Sequence, residues 1–346
     1  MASVSDSREK GTIAIAFVRE ALASVSAADA VRLVQDAGIA ADLLEQPQAR
    51  VSSQQYAALW HRIAQFLDDE FFGMDSRRMK HGAFTLLCHS VIHADTLERA
   101  LRRTLRFLRV LLDDLEGVLL RDGDYATITL VEPRNAGGAP LRAFAYGTFL
   151  LMVHGLACWL VRRRIALDTA DFRCAEPDFG SEWKVLFSPR LRFDRPQTCI
   201  RFAADFLDLP NVQNERTMKL FLRGAPANFL VKYRNSDGLT AQIRRRLREI
   251  APAAWPDFAD LACHMHTSAS TLRRRLEQDG DSYQTIKDDL RRDLAIARLA
   301  HSDLSLDDIA AELGFAETSG FHRAFKKWTG SKPGSYRRAR PAATVD

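Results

Sequence analysis

The sequence predicts a mainly α-helical protein with an α+β N-terminal domain and an all-α C-terminal domain, where two short helix pairs flank a long helix. The first observation is length, since 346 residues exceed the roughly 250–300 that one hydrophobic core usually serves. The second is that apolar residues recur at three- and four-residue steps along most of the chain. The third is a central region, 116–202, where this spacing gives way in places to the alternation of strands.

The N-terminal domain is predicted to begin with helices. Helical spacing of apolar residues covers four segments: 13–23, 27–38, 52–67 and 81–110. Ser52 and Gln55 form a capping box at the start of the third segment. Asp95 and Thr96 cap a helix inside the fourth.

The period changes after residue 115. Residues 116–132 alternate and turn at Asp122-Gly123, which predicts two strands joined by a tight turn. The segments that follow are predicted as a long apolar helix at 141–164, short strands at 171–175 and 198–202, and a helix at 181–187. We therefore expect a helical subdomain followed by a small mixed sheet that the long helix backs.

Near the C-terminus, residues 305–328 read SLDDIAAELGFAETSGFHRAFKKW, and each position has a mechanical role. Ser305 caps a first helix with Asp308, although Asp replaces the usual Glu or Gln. Gly314 ends that helix where a left-handed backbone is required, and Phe315 fills the turn. A second helix begins near Thr318 and buries four apolar residues: Phe321, Ala324, Phe325 and Trp328. Its outward face carries Ser319, His322, Arg323, Lys326 and Lys327, and Gly330 and Pro333 stop it.

A similar helix pair is predicted at about 257–278, with Asp257 at its start. Its first helix buries Phe258, Leu261, Ala262 and Met265. Thr267-Ser268 cap the second helix, where Leu272 and Leu276 pack inward, and Gly280 breaks it. The outward residues of that helix are Ser270, Arg273, Arg274 and Arg275. Between the pairs, residues 282–300 predict one long helix with an apolar side formed by Tyr283, Ile286, Leu290, Leu294, Ala297 and Leu299.

The order of residues in 305–338 closely resembles the signature of the AraC/XylS family of bacterial transcription regulators, which carry two helix-turn-helix units. The resemblance implies that the C-terminal domain binds double-stranded DNA. It also implies that the helix at 282–300 is a rigid spacer, holding two recognition helices about one DNA turn, roughly 34 Å, apart. Arg274 and Arg323 occupy matching places in those two helices.

The family motif assigns DNA contacts to particular positions of this chain. Base-facing positions of the first recognition helix match Ser270, Arg273 and Arg274, and those of the second match Thr318, Ser319, His322 and Arg323. Three further residues, Arg275, Lys326 and Lys327, are expected to contact phosphates, which position the protein without specifying sequence. The alternative is a plain solvated face, the usual role of three consecutive arginines on a helix.

The N-terminal domain resembles, more loosely, the regulatory domain of AraC-type activators of amino-acid utilisation, such as ornithine-utilisation activators. The resemblance rests on the His81-Gly82 turn followed by Leu86 and Leu87, on LRFDRP at 191–196, and on the segment from Phe206-Leu207 to Pro210. It implies a small-molecule effector, which we expect between the helix at 141–164 and the strands. The expected organisation is a regulatory domain at 1–210, a linker at 211–238 and a DNA-binding domain at 239–340.

Charge and composition agree with a DNA-binding protein without requiring one. The net charge is +5, and from residue 240 onward 18 Lys and Arg stand against 15 Asp and Glu, so sequence-independent affinity should be limited. The polar opening at 1–11 does not predict a signal peptide, and the longest apolar run, 149–161, is too short to span a bilayer. We expect a cytoplasmic, nucleoid-associated protein with reduced cysteines. Family behaviour adds RNA polymerase and a homodimer as expected partners, and activation as the expected effect on a metabolic operon.

Two groupings resemble metal sites: Cys88 with His89 and His93, and Cys263 with His264 and His266. Neither has the acidic helper of a zinc-hydrolase helix, and Met265 belongs to the core of the first helix pair, so we expect no metal and no cofactor. The alternative function is an enzyme, a DNA-alkylation-repair-like methyltransferase fused to a DNA-binding tail. Such an enzyme requires a reactive Pro-Cys-His arrangement, and no proline precedes a cysteine in this sequence.

Overall fold

The computed structural model describes residues 11–135, 137–188, 190–224, 239–278 and 282–337. The chain divides into two compact units, which we call the helical unit and the sheet unit. The helical unit comprises Met1–Ile15, Val34–Tyr56 and Ser236–Asp346. The sheet unit comprises Ala16–Leu33 and Ala57–Asn235. Two short N-terminal segments thus belong to the same unit as the C-terminal helices.

The elements up to residue 224 are a series of helices and two sheets. The helices are α1 (Ile15–Leu22), α2 (Ala27–Asp36), α3 (Ser53–Leu67), α4 (Ala83–Val91), α5 (Leu97–Leu111), α6 (Ala143–Leu160), α7 (Gly180–Leu186) and α8 (Glu215–Gly224). The strands are β1 (Thr12–Ala14), β2 (Arg50–Ser52), β3 (Glu116–Asp122), β4 (Tyr125–Val131), β5 (Leu167–Asp171), β6 (Leu191–Arg192) and β7 (Thr198–Ala203).

The sheet unit is built on a five-stranded mixed sheet in the order β3-β4-β7-β5-β6. All neighbouring strands are antiparallel except β5 and β6, which are parallel. Along β4 the predicted alternation is present, because Ala126, Ile128 and Leu130 are buried whereas Tyr125 is exposed. β4 and β7 pair through the centre of the sheet, where Ile128 lies opposite Ile200. This alternation is the reason that the strands β3 and β4 could be predicted correctly.

α6 is the central helix of the sheet unit, and all but one of its residues are buried. It is long and apolar enough to span a membrane, but 94% of that stretch is buried inside the protein. Gly147 lets α7 approach, because a Cβ at this position would lie 2.5 Å from the Trp183 ring. α6 thus forms the core of the mixed domain, as expected for a helix that is hydrophobic on all sides.

His154 is a buried histidine within α6. Its Nε2 lies 2.9 Å from the Ile165 carbonyl oxygen. Burial lowers the pKa of His154 from 6.5 to about 4, so the imidazole is neutral at pH 7 and donates its Nε2–H to that oxygen. A histidine among apolar residues is here a satisfied core residue.

The helical unit contains the remaining helices and the small sheet of β1 and β2. Its helices are α9 (Leu239–Arg248), α10 (Phe258–His264), α11 (Ala269–Gln278), α12 (Tyr283–His301), α13 (Leu306–Glu312), α14 (Thr318–Thr329) and α15 (Pro333–Arg337). The N-terminal strands pack against α12: Thr12 Oγ1 donates to the Asp293 carboxylate at 2.5 Å, and Ser52 Oγ lies 2.9 Å from His301 Nε2. β2 also contacts α15, since the Arg50 backbone N–H donates to the Tyr336 hydroxyl at 3.2 Å.

Several predicted boundaries were wrong. Residues 12–14 form a strand instead of the start of a helix, because they pair antiparallel with β2. The strand predicted at 171–175 is β5, at Leu167–Asp171. Its two acidic residues hide the strand pattern in the sequence, because aspartate is rare in strands. In the structure, arginines of neighbouring strands pair with both: Arg201 with Asp168 and Arg192 with Asp171.

Other differences concern the ends of helices. α6 ends at Leu160, short of the predicted 164, and Arg162 has a left-handed φ of +53° that cannot continue a helix. The predicted linker 211–238, whose middle is compatible with a helix, contains α8, and residues 225–238 lie outside the described residues. Along α12, Ala295 and Ile296 are fully buried, whereas the predicted Leu294 and Ala297 are only half-buried.

The neutral His154 predicts an acid-sensitive sheet unit. Its folded pKa lies below its unfolded value, so its contribution to stability is complete above pH 6.5 and is lost as the pH falls towards 4. Between these limits, the free energy of unfolding should fall by about 1.4 kcal/mol per pH unit because of this residue. Urea unfolding of wild type and His154→Gln between pH 7.5 and 4.5 measures the difference. Parallel pH profiles for the two proteins would contradict the assignment.

Candidate nucleic-acid interface

The first helix pair is α10 and α11, joined by a short turn at residues 265–268. The Asp257 carboxylate caps α10 by accepting the Asp260 backbone N–H at 2.8 Å. Ser268 Oγ caps α11 by accepting the Thr271 N–H at 3.2 Å. Both predicted caps are therefore confirmed, and each satisfies a backbone donor that a helix start leaves without a partner.

α11 has one buried and one exposed face. Leu272 and Leu276 are buried in a core shared with α9, α10 and the start of α12. The predicted outward residues are all exposed: Ser270, Arg273, Arg274 and Arg275. The Arg273 guanidinium lies over the Phe258 ring at 5.6 Å, so this side chain is partly held against its own helix pair. Within the described part of the chain, Arg274 and Arg275 have neither a hydrogen bond nor an ion pair.

The second helix pair is α13 and α14. Ser305 and Asp308 form the complete capping box, in which each side chain accepts the backbone N–H of the other residue. Gly314 follows α13 with a φ of +78°, as the sequence predicts. Phe315 fills the turn, its ring centroid 5.8 Å from that of Phe321 and 6.1 Å from that of Trp328. These contacts fix the direction in which α14 leaves the turn.

α14 also presents an exposed basic face. The exposed residues are Ser319, His322, Arg323, Lys326 and Lys327, whereas Phe321 and Phe325 are fully buried. Arg323 and both lysines have no ion pair among the residues that the structure describes. Thr318 differs from the prediction, because it is half-buried and donates its hydroxyl to the Asp307 carboxylate. Gly330 ends the helix with a φ of +72°, and Pro333 begins α15 where the sequence predicts only a stop.

Arg291, in the middle of α12, joins the two helix pairs. Its guanidinium lies 5.1 Å from the Trp255 ring, which precedes α10, and 5.7 Å from the Phe315 ring. Its Nε–H donates to the Leu313 carbonyl at 3.0 Å, at the end of α13. Burial lowers the pKa of Arg291 from its usual value. One side chain thus contacts an aromatic ring of the first pair and both a ring and a backbone carbonyl of the second.

Two further contacts hold the pairs together. The turn at Gly314 lies against the short 3-10 helix Pro252–Ala254, since a Cβ on Gly314 would be 3.1 Å from the Ala253 Cα. Arg298 on α12 binds Glu312 of α13 through its Nε and Nη2, at 2.5–3.1 Å. The spacing of the two pairs is therefore set by packed side chains and backbone as well as by the helix that connects them.

The arginines near α12 and the cations on the outward faces of α11 and α14 differ in whether a carboxylate pairs with them. Two arginines at α12 are paired with a carboxylate: Arg244 and Arg292 both bind Asp289, at 2.6 and 2.9 Å. By contrast, the outward cations of α11 and α14 are left without carboxylate partners in the described residues. Cations without a local counter-charge create the positive potential that attracts a phosphate backbone.

The sequence did not single out Arg291, although it supplied the residues around it. The only signal was an arginine directly after Leu290 on the predicted apolar side of α12, with Trp255 and Phe315 beside the two turns. Gly280, the predicted breaker of α11, lies outside the described residues.

A capped helix pair whose second helix presents unpaired cations is the arrangement of helix-turn-helix DNA-binding proteins. Residues 261–339 match a helix-turn-helix domain, and residues 28–211 match the family described as the N-terminal arabinose-binding domain of AraC transcription regulators. The chain belongs to the AraC family of transcription regulators. It is a DNA-binding regulator with an effector-binding domain.

Similar proteins from Pseudomonas aeruginosa agree with this family. The ornithine utilization regulator is 28% identical over 309 residues, covering 89% of this chain and 90% of its own length. The HTH-type transcriptional regulator VqsM is 36% identical over 100 residues, 29% of this chain and 30% of its own. The crystal structure of the transcriptional regulator CdpR covers 93% of this chain and 97% of its own at 18% identity, with a TM-score of 0.30.

The left-handed turn of the second helix pair can be tested by replacing each of two glycines with alanine, one in the turn and one in α14. Gly314→Ala forces a side chain into a left-handed backbone and against Ala253, and should destabilise by about 1–3 kcal/mol. Gly320→Ala places the same methyl within α14, where the nearest atom is 3.6 Å away, and should stabilise by up to about 1 kcal/mol. Thermal unfolding of both variants gives the sign, and equal melting temperatures would contradict the turn geometry.

Proposed function

We propose that α11 and α14 are the recognition helices of two helix-turn-helix units that read successive major grooves of one DNA duplex. The observation that carries the proposal is the pair of exposed basic faces without counter-charges, on helices linked through Arg291 and α12. A fixed spacing between two readers favours sites whose half-sites are about one helical turn, roughly 34 Å, apart.

The residues of the two faces divide by role. Arg274 and Arg323 are the main base readers, since both are exposed and each guanidinium can hold a guanine through two parallel hydrogen bonds. The remaining base-facing residues are Ser270, Arg273, Ser319 and His322. Thr318 orients α14 through Asp307 in addition to facing the groove. The phosphate contacts are Arg275, Lys326 and Lys327.

The regulatory domain is proposed at 1–210, the linker at 211–238 and the DNA-binding domain at 239–340. An effector binds beside α6 and the sheet and changes how the chain holds its DNA-binding part. The chain passes between the two compact units after residues 15, 33, 56 and 235, so a change in the sheet unit reaches the helical unit through continuous backbone. The effector shifts DNA binding only by as much as its affinity differs between the two arrangements.

The protein is proposed to act in the cytoplasm as a homodimeric activator of a metabolic operon, in contact with RNA polymerase. The similarity to an ornithine utilization regulator supports the metabolic role.

The alternative, a repair-type methyltransferase, needs an activated thiol. Burial raises the pKa of Cys88 and of Cys158 to about 12 and that of Cys174 to about 11. These thiols are protonated at pH 7 and are therefore poor nucleophiles. No observation on the described residues favours the enzyme.

Arginine-to-alanine variants test base reading. We expect Arg274→Ala and Arg323→Ala each to weaken operator binding by about 1–3 kcal/mol and to relax preference at one base pair. Fluorescence anisotropy on genomic fragments selected by the protein, and on scrambled DNA, measures both effects. Arg106→Ala is the matched control, because Arg106 is an exposed arginine of the sheet unit. Equal losses on selected and scrambled DNA would show that these arginines contact only phosphates.

Lys327→Ala tests phosphate contact. The variant should bind all sequences less tightly by a similar factor, and the slope of log affinity against log salt should become shallower by about 1. The titrations are repeated at salt concentrations from about 50 to about 200 mM, a range over which phosphate contacts change the affinity strongly. An unchanged slope would remove Lys327 from the phosphate set.

A further inference from the structure

A small polar cavity lies within the helical unit, away from the exposed basic faces. Its volume is about 170 Å³, far more than the ~10–15 Å³ that one water molecule needs. One wall is the start of α3, and the other is the last two turns of α12. Its polar lining residues are Ser52, Ser53, Gln54, Arg298, His301 and Ser302, and no carboxylate is among the described residues that line it.

The wall from α3 is the positive end of a fifteen-residue helix. Ser52 and Gln55 form the capping box there: the Ser52 N–H donates to Gln55 Oε1 at 2.9 Å, and the Gln55 N–H donates to Ser52 Oγ at 3.1 Å. The capping box leaves the N–H groups of Ser53 and Gln54, the first two helical residues, without a partner inside α3.

The buried hydroxyl of Ser53 is not explained by capping of α3. The residue is fully buried, and its Oγ has no hydrogen-bond partner among the described residues. A buried hydroxyl without a partner destabilises the fold, and an alanine at this first helical position would avoid that cost. Because Ser53 also lines the cavity, a ligand there would give its hydroxyl an acceptor.

The opposite wall adds donors from α12. Glu312 occupies Nε and Nη2 of Arg298, and Nη1 makes no bond to the described residues. His301 Nε2 lies 2.9 Å from Ser52 Oγ, so the two walls meet beside the cavity. Arg298 and His301 lie in the last turn of α12, where basic residues suit the negative end of the helix dipole. That role does not account for the cavity or for the hydroxyl of Ser53.

We propose that this cavity binds the oxyanion group of a small metabolite, a carboxylate or a phosphate. The oxyanion accepts hydrogen bonds from Ser53 Oγ, from the first N–H groups of α3 and from Arg298 Nη1. Backbone N–H groups at a helix start, together with a guanidinium, are the usual donors for such groups in proteins. The bound anion adds contacts between the start of α3 and α12. The site does not depend on the DNA-reading roles proposed above, and its test does not involve DNA.

The test compares full-length wild type with Ser53→Ala in thermal unfolding and in calorimetric titration. The probes are sodium phosphate and sodium acetate, each against sodium chloride of equal ionic strength. At about ten times the dissociation constant, the responding anion should raise the melting temperature of wild type by roughly 2–4 °C. Ser53→Ala should bind it about tenfold more weakly, a loss of one charge-assisted hydrogen bond. Ser90→Ala, which removes a hydroxyl from α4 in the sheet unit, should respond as wild type does.

The two anions distinguish the source of the oxyanion. A Ser53-dependent response to phosphate assigns the site to phosphorylated metabolites, and one to acetate assigns it to carboxylates. Without either anion, Ser53→Ala should be at least as stable as wild type, since it removes a hydroxyl without a partner. The proposal is overturned if neither anion binds wild type, if both proteins respond equally, or if Ser53→Ala is already less stable in chloride alone.

Discussion

The contact on which the helical unit depends most is the one that Arg291 makes with both helix pairs. A half-buried guanidinium between Trp255 and Phe315, with one hydrogen bond to the Leu313 carbonyl, joins the first helix pair to the second in addition to α12 and the Gly314 turn. Arginine suits this position because its planar cation stacks on aromatic faces and remains charged when partly buried. Lysine has no flat cation to stack on the two rings, because its ammonium group is a compact point charge. The spacing of the two exposed faces therefore depends on Arg291 together with α12, the Gly314 turn and the Arg298–Glu312 pair.

A fixed spacing matters because the net charge of this protein is small. A net of +5 over 346 residues gives little attraction to arbitrary DNA, so in the proposed binding mode the affinity comes from cations concentrated on two faces. The chain achieves this by pairing the arginines around α12 with Asp289 and Glu312, and by leaving those of α11 and α14 without such partners among the described residues. In the proposed mode, two faces held at a fixed spacing also avoid the entropy that independently moving helix pairs would lose on binding together.

Local signals predicted the second helix pair almost completely. Ser305, Asp308, Gly314 and Phe315 act through neighbours within a few residues, so their roles can be recognised in the sequence alone. The strand β5 and the contacts of Arg291 depend on partners distant in the chain, and no local pattern encodes them. The same reason applies to Thr318: the local motif matches it to a base-facing position but does not encode its hydrogen bond to Asp307, eleven residues earlier.

The most direct test of the clamped spacing is to change the DNA between the two contacted half-sites. On a selected operator, inserting five base pairs, about half a helical turn, should lower wild-type affinity at least tenfold, because the second recognition helix then faces the wrong side of the duplex. Unchanged affinity on that DNA would show that the two helix pairs move independently, and would contradict the account built on Arg291.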